Sequence, residues 1–250
     1  MNRDELVNNL NEYLNINSFA DYCPNGLQVE GSQSINKIVT GVSSSLALFE
    51  KAAEVGANAV IVHHGLIWFN NTPLIKGSYK ERLKVLLSHD INLLAYHLPL
   101  DAHPEIGNNI LLAEELGLKK VEPFGQIKDQ YIGIKGEIEL TEAEIFFEIV
   151  KNKIKKESII FPFGREKIKT IGIISGAAQK EIKKAIDERL DLYLTGEVSE
   201  ETFYLAKEEK IHFISAGHHA TEKFGIIAIT DYIRKNFGIP AEFFDTENPI

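Results

Sequence analysis

The pattern of hydrophobic and polar residues in the first half of the chain alternates short strands with amphipathic helices. Residues 37–43 and 58–62 are apolar and β-branched, which is typical of strands covered on both faces. Residues 45–55 between them carry apolar side chains at helical spacing. A helical pattern over 79–89 and an apolar strand over 92–96 follow. This β-α-β-α-β order predicts a doubly wound α/β layer.

The same order recurs in the second half of the chain. Strands predicted over 169–175, 190–195 and 211–216 alternate with helices over 179–189 and 200–210. We interpret the recurrence as an internal duplication, so that the α/β fold has two similar α/β lobes. The alternative explanation is that the two halves share only the β-α-β order common to all doubly wound proteins. A superposition of the two lobes would distinguish this explanation from a duplication.

The region between the two repeats does not follow the alternating strand and helix pattern. Residues 121–162 combine Gly-punctuated, strand-like pieces with one helical segment, and we interpret them as the entry hairpin or connection of the second lobe. The first lobe is therefore predicted over residues 1–120 and the second over 121–250. The C-terminal segment 217–250 is a candidate to pack back on the first lobe.

Composition narrows the class of protein. The chain has 250 residues, 44% of them hydrophobic, and its single cysteine, Cys23, excludes an intrachain disulfide and a cysteine zinc site. Cys23 precedes Pro24 and the turn-forming pair Asn25-Gly26, so we interpret it as a turn residue. No apolar run is long enough for a membrane span, and the N-terminus lacks a signal-peptide core. A cytoplasmic location is predicted.

The net charge argues against a nucleic-acid partner. It is −9, and a field of that sign disfavours nonspecific binding to phosphates. The best local exception is the basic run over residues 151–156, which we interpret as a solvated helix face.

Histidines and carboxylates collect where the predicted strands end. Ligand sites of open α/β sheets lie beyond the carboxyl ends of the strands. Imidazole and carboxylate are the usual ligands of zinc, manganese, iron and nickel. Six of the eight histidines follow three strand ends, and they are His63, His64, His97, His103, His218 and His219, interleaved with Asp101 and Glu222. The sequence therefore predicts a metal site.

The spacing of these residues supports the same interpretation. His218 and Glu222 are four residues apart at the predicted start of a helix, so both point from one face. His63 and His64 are adjacent at a strand end and diverge, and two metal ions that each take one of them would use both. Asp101 lies in a loop beyond a proline, where a carboxylate could bridge the two ions.

Each residue also has a structural interpretation. His89 and His212 are assigned to hydrogen-bonding roles, and His103 could serve only to orient its loop. Asp101 could be a turn residue, and Glu222 could interact with the helix dipole. The joint occurrence of these residues at three strand ends favours the metal site.

Glu197 is a further candidate. It follows a predicted strand at the place in the second half that His63 and His64 hold in the first half, so it could orient a metal ligand or act as a general base. Neither common type of Gly-rich phosphate loop is present in the sequence.

Long motifs throughout the chain resemble the Nif-three-like family, also named GTP cyclohydrolase I type II homologues. The resemblance runs nearly end to end and is especially strong to the short bacterial members, which lack an inserted domain. The segments that carry it are DYCPNGLQVEG (21–31), VTGVSSS (39–45), AVIVHHG (59–65), YHLPLDAHPEIGNN (96–109), LTGEVSEET (194–202) and AGHHATEKFG (216–225).

The resemblance implies an architecture and a cofactor. It implies a two-lobed α/β fold, a ring-shaped homohexamer built as a trimer of dimers, and a dinuclear metal site in the cleft between the lobes. His97 matches a further histidine beside the metals and is a candidate catalytic residue together with Glu197. The resemblance implies two divalent ions per subunit, and the types of the ligand side chains suit zinc, iron, manganese or nickel. The family's metal ligands fall on His63, His64, Asp101, His218 and Glu222, all of the expected type.

Three functions compete on this basis. The first is a metal-dependent hydrolase of a nucleotide or other small substrate, with His97 or Glu197 as proton shuttle, since the family name implies hydrolytic opening of the purine ring of GTP. The second is a non-catalytic protein that binds iron or another divalent ion and delivers it. The third is a DNA-handling or interaction ring that uses residues 151–156, which the acidic net charge disfavours. We rank the three hypotheses in this order.

Overall fold

The computed structural model describes residues 1–70 and 74–250, and the chain divides into two compact units. The first unit contains Met1–His103 and Gly225–Glu247, and the second contains Pro104–Phe224 and Asn248–Ile250. The lobe boundary predicted after residue 120 falls inside the second unit. Residues 225–247 of the C-terminal segment belong to the first unit.

Helices and strands alternate along most of the chain. Up to residue 103 they are α1 (Arg3–Tyr13), a 3-10 turn (Ile16–Ser18), β1 (Gly26–Val29), β2 (Ile38–Ser43), α2 (Leu46–Glu54), β3 (Ala59–His64), α3 (Gly77–Ser88), β4 (Asn92–Ala95) and α4 (Leu98–Asp101). Beyond it they are α5 (Asn108–Glu115), β5 (Lys119–Ile127), β6 (Gln130–Glu142), α6 (Ala143–Lys153), β7 (Ile159–Pro162), β8 (Lys167–Ile173), a second 3-10 turn (Gln179–Glu181), α7 (Ile182–Asp187), β9 (Leu192–Thr195), α8 (Glu200–Glu208), β10 (His212–Ser215), α9 (His218–Phe237) and β11 (Ala241–Phe243).

The first unit is built on a five-stranded sheet in the order β1-β4-β3-β2-β11. Strands β2, β3 and β4 are parallel, β11 adds to β2 in parallel, and β1 pairs with β4 in the antiparallel direction. Residues 59–62 of β3 are all buried, as the unbroken apolar pattern predicts for a strand covered on both faces. Phe49 of α2 and Leu86 of α3 pack in the core against this sheet.

The second unit is built on a six-stranded sheet in the order β5-β6-β8-β9-β10-β7. Strands β8, β9 and β10 are parallel, and β7 pairs with β10 in the antiparallel direction. The stretch between the repeats supplies the antiparallel hairpin β5–β6, helix α6 and the edge strand β7. Phe146 and Phe147 of α6 pack in the core against the sheet.

The described residues thus form a mixed α/β fold with two sheets, as the alternating sequence pattern predicts. In both sheets three parallel strands follow one another, with an antiparallel strand beside the third. No helix in the described part of the chain combines the length and the apolar character that a membrane crossing requires.

The strand ends place the candidate residues. β3 runs two residues further than the predicted strand, so His63 and His64 are its last residues and His64 pairs with Ser43 of β2. His97 lies between β4 and α4, and His218 is the first residue of α9 after β10.

Candidate metal centre

Three imidazoles converge at the carboxyl end of the first sheet. The rings of His63 and His64 have centroids 4.6 Å apart, and the ring of His97 lies 5.1 Å from that of His63 and 5.8 Å from that of His64. One ring nitrogen of each lies within 4.8 Å of the others. The carboxylate of Asp101 lies 3.6 Å from Nε2 of His63. Four of the predicted site residues therefore meet in the first unit.

Two of these imidazoles are oriented from within the sheet. His63 is buried, and its Nδ1–H donates to the backbone carbonyl of Tyr96 at 2.9 Å. Because a carbonyl can only accept, Nδ1 carries the proton and Nε2 keeps its lone pair when the ring is neutral. Nδ1 of His64 is paired with the hydroxyl of Ser43 at 2.9 Å. Nε2 is thus the nitrogen that both rings offer to a ligand.

Asp21 orients the third imidazole. Its carboxylate accepts Nδ1–H of His97 at 2.9 Å and the backbone N–H of Leu98 at 2.9 Å. It also accepts the N–H of Cys23 at 3.0 Å and the side-chain amide of Asn25 at 3.0 Å. The 21–25 loop therefore fixes the ring of His97 with Nδ1 protonated.

The charges in this loop follow from burial and hydrogen bonding. Burial opposes the ionisation of Asp21, but the hydrogen bond and charge of His97, with the N–H of Cys23 and the amide of Asn25, hold the pKa of the carboxyl at about 2. Burial raises the pKa of the Cys23 thiol to about 12. A thiol with that pKa stays protonated near neutrality and makes a poor nucleophile.

The second unit carries a histidine between two carboxylates. Nδ1–H of His218 donates to Glu197 at 2.6 Å, and its Nε2 lies 3.1 Å from the carboxylate of Glu222, one turn along α9. Burial lowers the pKa of His218, but the bonds and charges of Glu222 and Glu197 outweigh it and raise the pKa to about 9. At neutral pH without a metal, Nε2 therefore carries a proton that a metal ion would have to replace.

Gly176 makes room for this arrangement. A Cβ at this position would lie 2.1 Å from Oε1 of Glu222, and the backbone has the left-handed φ of +68° that favours glycine. The turn after β8 therefore admits the carboxylate of Glu222 beside His218 only because residue 176 has no side chain.

Two other histidines are used by the fold. His212 is buried in β10, where its Nδ1 accepts the N–H of Gly164 at 3.2 Å and its Nε2–H donates to the carbonyl of Arg165 at 2.6 Å. With both ring nitrogens engaged, His212 offers no lone pair to a metal, in line with the structural role predicted for it. Nε2–H of His103 donates to the carbonyl of Tyr13 at 3.2 Å, which ties its loop to the end of α1.

The sequence analysis identified Glu197 but missed the orienting partners of the first unit. Asp21 was included only as the first residue of the segment 21–31 that carries the family resemblance, although a carboxylate inside a Pro- and Gly-containing loop is a signal that could have singled it out. Ser43 pairs with His64, but a hydroxyl at the end of β2 is a weaker indication of such a role than a carboxylate is. Tyr96 acts through its backbone carbonyl, which no residue type reveals.

The chemistry of these side chains fits a divalent transition metal. Metal-bound histidines usually donate the second ring N–H to a carboxylate or carbonyl, which fixes the tautomer and makes the ligand more basic. His63, His97 and His218 make that bond to an oxygen that can only accept. Asp101 and Glu222 add carboxylate oxygens beside two of these rings. Imidazole and carboxylate together suit zinc, iron, manganese and nickel.

Comparison with known proteins identifies the family to which this chain belongs. The profile of the Duf34/NIF3 (NGG1p interacting factor 3) family matches residues 1–249, so the chain belongs to this family and the resemblance seen in the motifs is confirmed. It is 44% identical over 245 residues to the GTP cyclohydrolase 1 type 2 homolog of Pseudomonas aeruginosa, covering 98% of this chain and 97% of that one. The Escherichia coli K12 protein of the same name is 41% identical over the whole of both chains.

Solved structures agree with the fold. A protein described as ybgI, of unknown function, superimposes with a TM-score of 0.94 at 40% identity over the whole of both chains. TTHA1606 from Thermus thermophilus gives a TM-score of 0.92 at 35% identity, also over both whole chains.

Proposed function

We propose that this protein is a metal-dependent hydrolase that acts on a nucleotide or other small substrate. The observation that carries the proposal is the shared orientation of His63, His97 and His218, each of which has Nδ1–H bound to an acceptor and Nε2 directed elsewhere. An acceptor on Nδ1–H is typical of metal-bound imidazoles. Carboxylates that could share a metal ion lie beside Nε2 of His63, at 3.6 Å, and of His218, at 3.1 Å.

The proposed ligands are those that the motifs predict. Two divalent ions per chain would be held by His63, His64, Asp101, His218 and Glu222. Divalent metal ions act as Lewis acids and lower the pKa of water to near neutrality, which suits hydrolysis. The carboxylate and carbonyl partners of the imidazoles serve to aim the rings and to raise their basicity.

Two residues beside the ligands could move protons. The ring of His97 has Nδ1–H committed to Asp21, so Nε2 is the atom at which it would take or give a proton. Glu197 is one-third exposed, and its carboxylate bonds Nδ1 of His218 at 2.6 Å. This contact favours orientation of His218 as the main role of Glu197, and leaves His97 as the better candidate for the proton shuttle.

The test combines metal content with turnover. Metal-replete protein should hydrolyse at least one member of a panel of nucleoside triphosphates and small cyclic amides, and Asp101→Asn should lose both bound metal and turnover. Asp187→Asn, an exposed change on α7, is the matched control and should keep both. If the metal-replete protein turns over nothing and Asp101→Asn behaves as the parent, the hydrolase proposal fails.

Metal delivery is the second candidate, and the accessibility of one ligand favours it. The side chain of His218 is 25% exposed, and that of Glu197 is 33% exposed. A solvent-accessible ligand that is protonated when metal-free suits exchange of the ion. Rapid loss of metal to a chelator without any turnover would support delivery, whereas an inert metal in a protein that turns over would refute it.

Assembly and location remain proposals from the family resemblance. We propose a homohexamer in the cytoplasm, to be tested by light scattering of the purified protein and by fractionation of cells. A nucleic-acid role gains little support from the basic run, because Lys151 pairs with Glu148, Lys153 pairs with Glu115, and Lys155 donates to the carbonyl of Pro249.

A further inference from the structure

Two aromatic rings stand beside the histidine cluster of the first unit. The rings of Tyr22 and Trp68 have centroids 5.5 Å apart and are tilted by 33°. Both stand nearly edge-on to the imidazole of His97, at 5.3 Å and 68° for Tyr22 and at 5.2 Å and 81° for Trp68. Trp68 also lies 6.2 Å from the ring of His64. The pair forms an aromatic wall next to the candidate ligands.

Hydrogen bonds hold the wall in place. The indole N–H of Trp68 donates to the carbonyl of Gly65 at 2.9 Å, which fixes the ring plane. The N–H of Phe69 donates to the carbonyl of Tyr22 at 2.8 Å and joins the two backbone segments. Gln28 stiffens the approach to Trp68, since its side-chain oxygen accepts the N–H groups of residues 66 and 67 at 2.8 and 3.0 Å. A wall fixed in this way loses little conformational entropy when a ligand binds.

The surface of the wall indicates what it would bind. Tyr22 leaves half of its surface exposed, and Trp68 is partly exposed. Aromatic faces gain both apolar burial and offset stacking from a planar ring. A phosphate offers no such face, and a ribose offers only a small, puckered C–H surface. The wall therefore favours a planar aromatic ring over either group.

We propose that Tyr22 and Trp68 form a recognition site for a planar heteroaromatic ring, and that the substrate presents this ring beside His64 and His97. The proposal rests on the proposed function in that the ring belongs to the substrate of the same site. It adds the substrate class and two specificity-determining residues, neither of which is a metal ligand. Stacking would leave the polar edge of the ring free to face the imidazoles.

The chain offers a direct probe, because Trp68 is its only tryptophan. Metal-free full-length protein, stripped with a chelator, is titrated with guanosine, with adenosine and with ribose while the indole fluorescence is followed. Both nucleosides should quench Trp68 with saturation, and ribose should leave the fluorescence unchanged. Equilibrium dialysis with labelled guanosine gives the affinity independently of the fluorescence.

Variants at Tyr22 separate stacking from other causes. Tyr22→Ala should weaken guanosine binding roughly 5- to 100-fold, as removal of one stacking ring does. Tyr22→Phe, which keeps the ring, should bind as the parent does, and so should Tyr131→Ala, which removes a similarly exposed tyrosine from the second unit. Circular dichroism of each variant shows whether it is folded.

Three results would overturn the proposal. They are absence of saturable quenching and of dialysis binding, equal affinity in folded Tyr22→Ala, and a Trp68 signal that depends on protein concentration rather than on nucleoside. The third would assign the wall to a contact between copies of the chain. Since the titration uses metal-free protein, failure of the metal-dependent hydrolase would not affect the result, and the two failures are distinguishable.

Discussion

The two units orient a strand-end histidine in the same way but take the orienting carboxylate from different places. In the first unit His97 follows β4, and its Nδ1–H is bound by Asp21 from the loop before β1. In the second unit His218 follows β10, and its Nδ1–H is bound by Glu197, which follows β9. The side chain of Asp21 is 2% exposed and that of Glu197 is 33% exposed. Nδ1–H is therefore held once by a buried carboxylate with several hydrogen bonds and once by a partly exposed carboxylate.

This difference has a physical consequence. Asp21 also accepts the N–H groups of Leu98 and Cys23, so it contributes to folding of its loop as well as to the histidine. Glu197 is the more exposed partner, and exposed ion pairs contribute little to stability. The sheets themselves are alike, since β2-β3-β4 and β8-β9-β10 run in parallel with an antiparallel strand beside the third. That likeness is consistent with the proposed duplication.

The largest expected effect comes from removing one ligand in each unit. His63→Ala and His218→Ala should each weaken metal binding by about 100-fold or more, because loss of a ligand should exceed the 10- to 100-fold typical of its partners. The measurement is competition with a chelator of known affinity. His89→Ala, at the exposed end of α3, is the matched control and should bind as the parent.

The two variants also test whether both clusters take part. If His63→Ala loses metal and His218→Ala keeps it, the cluster of the second unit is not a ligand set. The proposal of five ligands would then be wrong.

Substitution of the orienting carboxylates should give the next largest effect, and the two substitutions should have different consequences in the two units. Asp21→Asn should leave metal affinity close to that of the parent, because Asp21 orients His97, which is not one of the five proposed ligands. Glu197→Gln should weaken metal binding by about 10-fold, because Glu197 orients the proposed ligand His218. Only Asp21→Asn should lower the free energy of unfolding appreciably, by roughly 1–3 kcal/mol, because buried N–H groups lose a charged acceptor. Chelator competition and urea unfolding of the same preparations measure both quantities.

Equal losses of stability in the two variants would contradict this distinction. A clear loss of metal affinity in Asp21→Asn would indicate that His97 holds a metal ion in addition to the five proposed ligands.

The sequence predicted the fold well because its signals are local. The parallel strands β2, β3, β4, β8, β9 and β10 and the helices between them came from periodicity, whereas the edge strands β1, β7 and β11 were not predicted. The family came from long motifs, which the profile match confirms. The end of β3 was placed too early, at Val62, because two histidines interrupt the apolar run. In the structure Ser43 and a backbone carbonyl accommodate those imidazoles, so the strand continues to His64.

Asp21 was beyond reach as an orienting residue because its signal is not local. Asp21 and His97 are 76 positions apart, and nothing in the turn-like sequence around Asp21 indicates its partner. Glu197 was found only by analogy between the two halves, 21 positions before His218. The assignment of the five metal ligands stays a prediction that rests on the motifs.

A glycine offers a test of the crowded cluster in the second unit. Gly176→Ala should lower the free energy of unfolding by about 2 kcal/mol and displace Glu222, since it adds a close contact to a strained left-handed backbone. Gly117→Ala is the matched control, with a φ of +77° and open space around its Cβ, and should cost roughly 1 kcal/mol. Urea unfolding measures the difference, and chelator competition should show weaker metal binding only for Gly176→Ala. Identical behaviour of the two variants would mean that Glu222 is not confined there.

The smallest expected effect concerns how the two units begin their helices. The hydroxyl of Ser45 accepts the N–H of Leu48 at 3.2 Å and caps α2 in the first unit, whereas the hydroxyl of Ser199, at the start of α8, pairs with that of Thr202 and makes no capping bond. Loss of a serine cap typically costs about 1 kcal/mol. Ser45→Ala should therefore lower the free energy of unfolding by about that amount and Ser199→Ala by less than about half of it, with metal affinity unchanged in both. Urea unfolding resolves such a difference. A larger loss of unfolding free energy in Ser199→Ala than in Ser45→Ala would contradict the prediction. It would show that the bond between Ser199 and Thr202 stabilises the second unit more than the Ser45 cap stabilises the first.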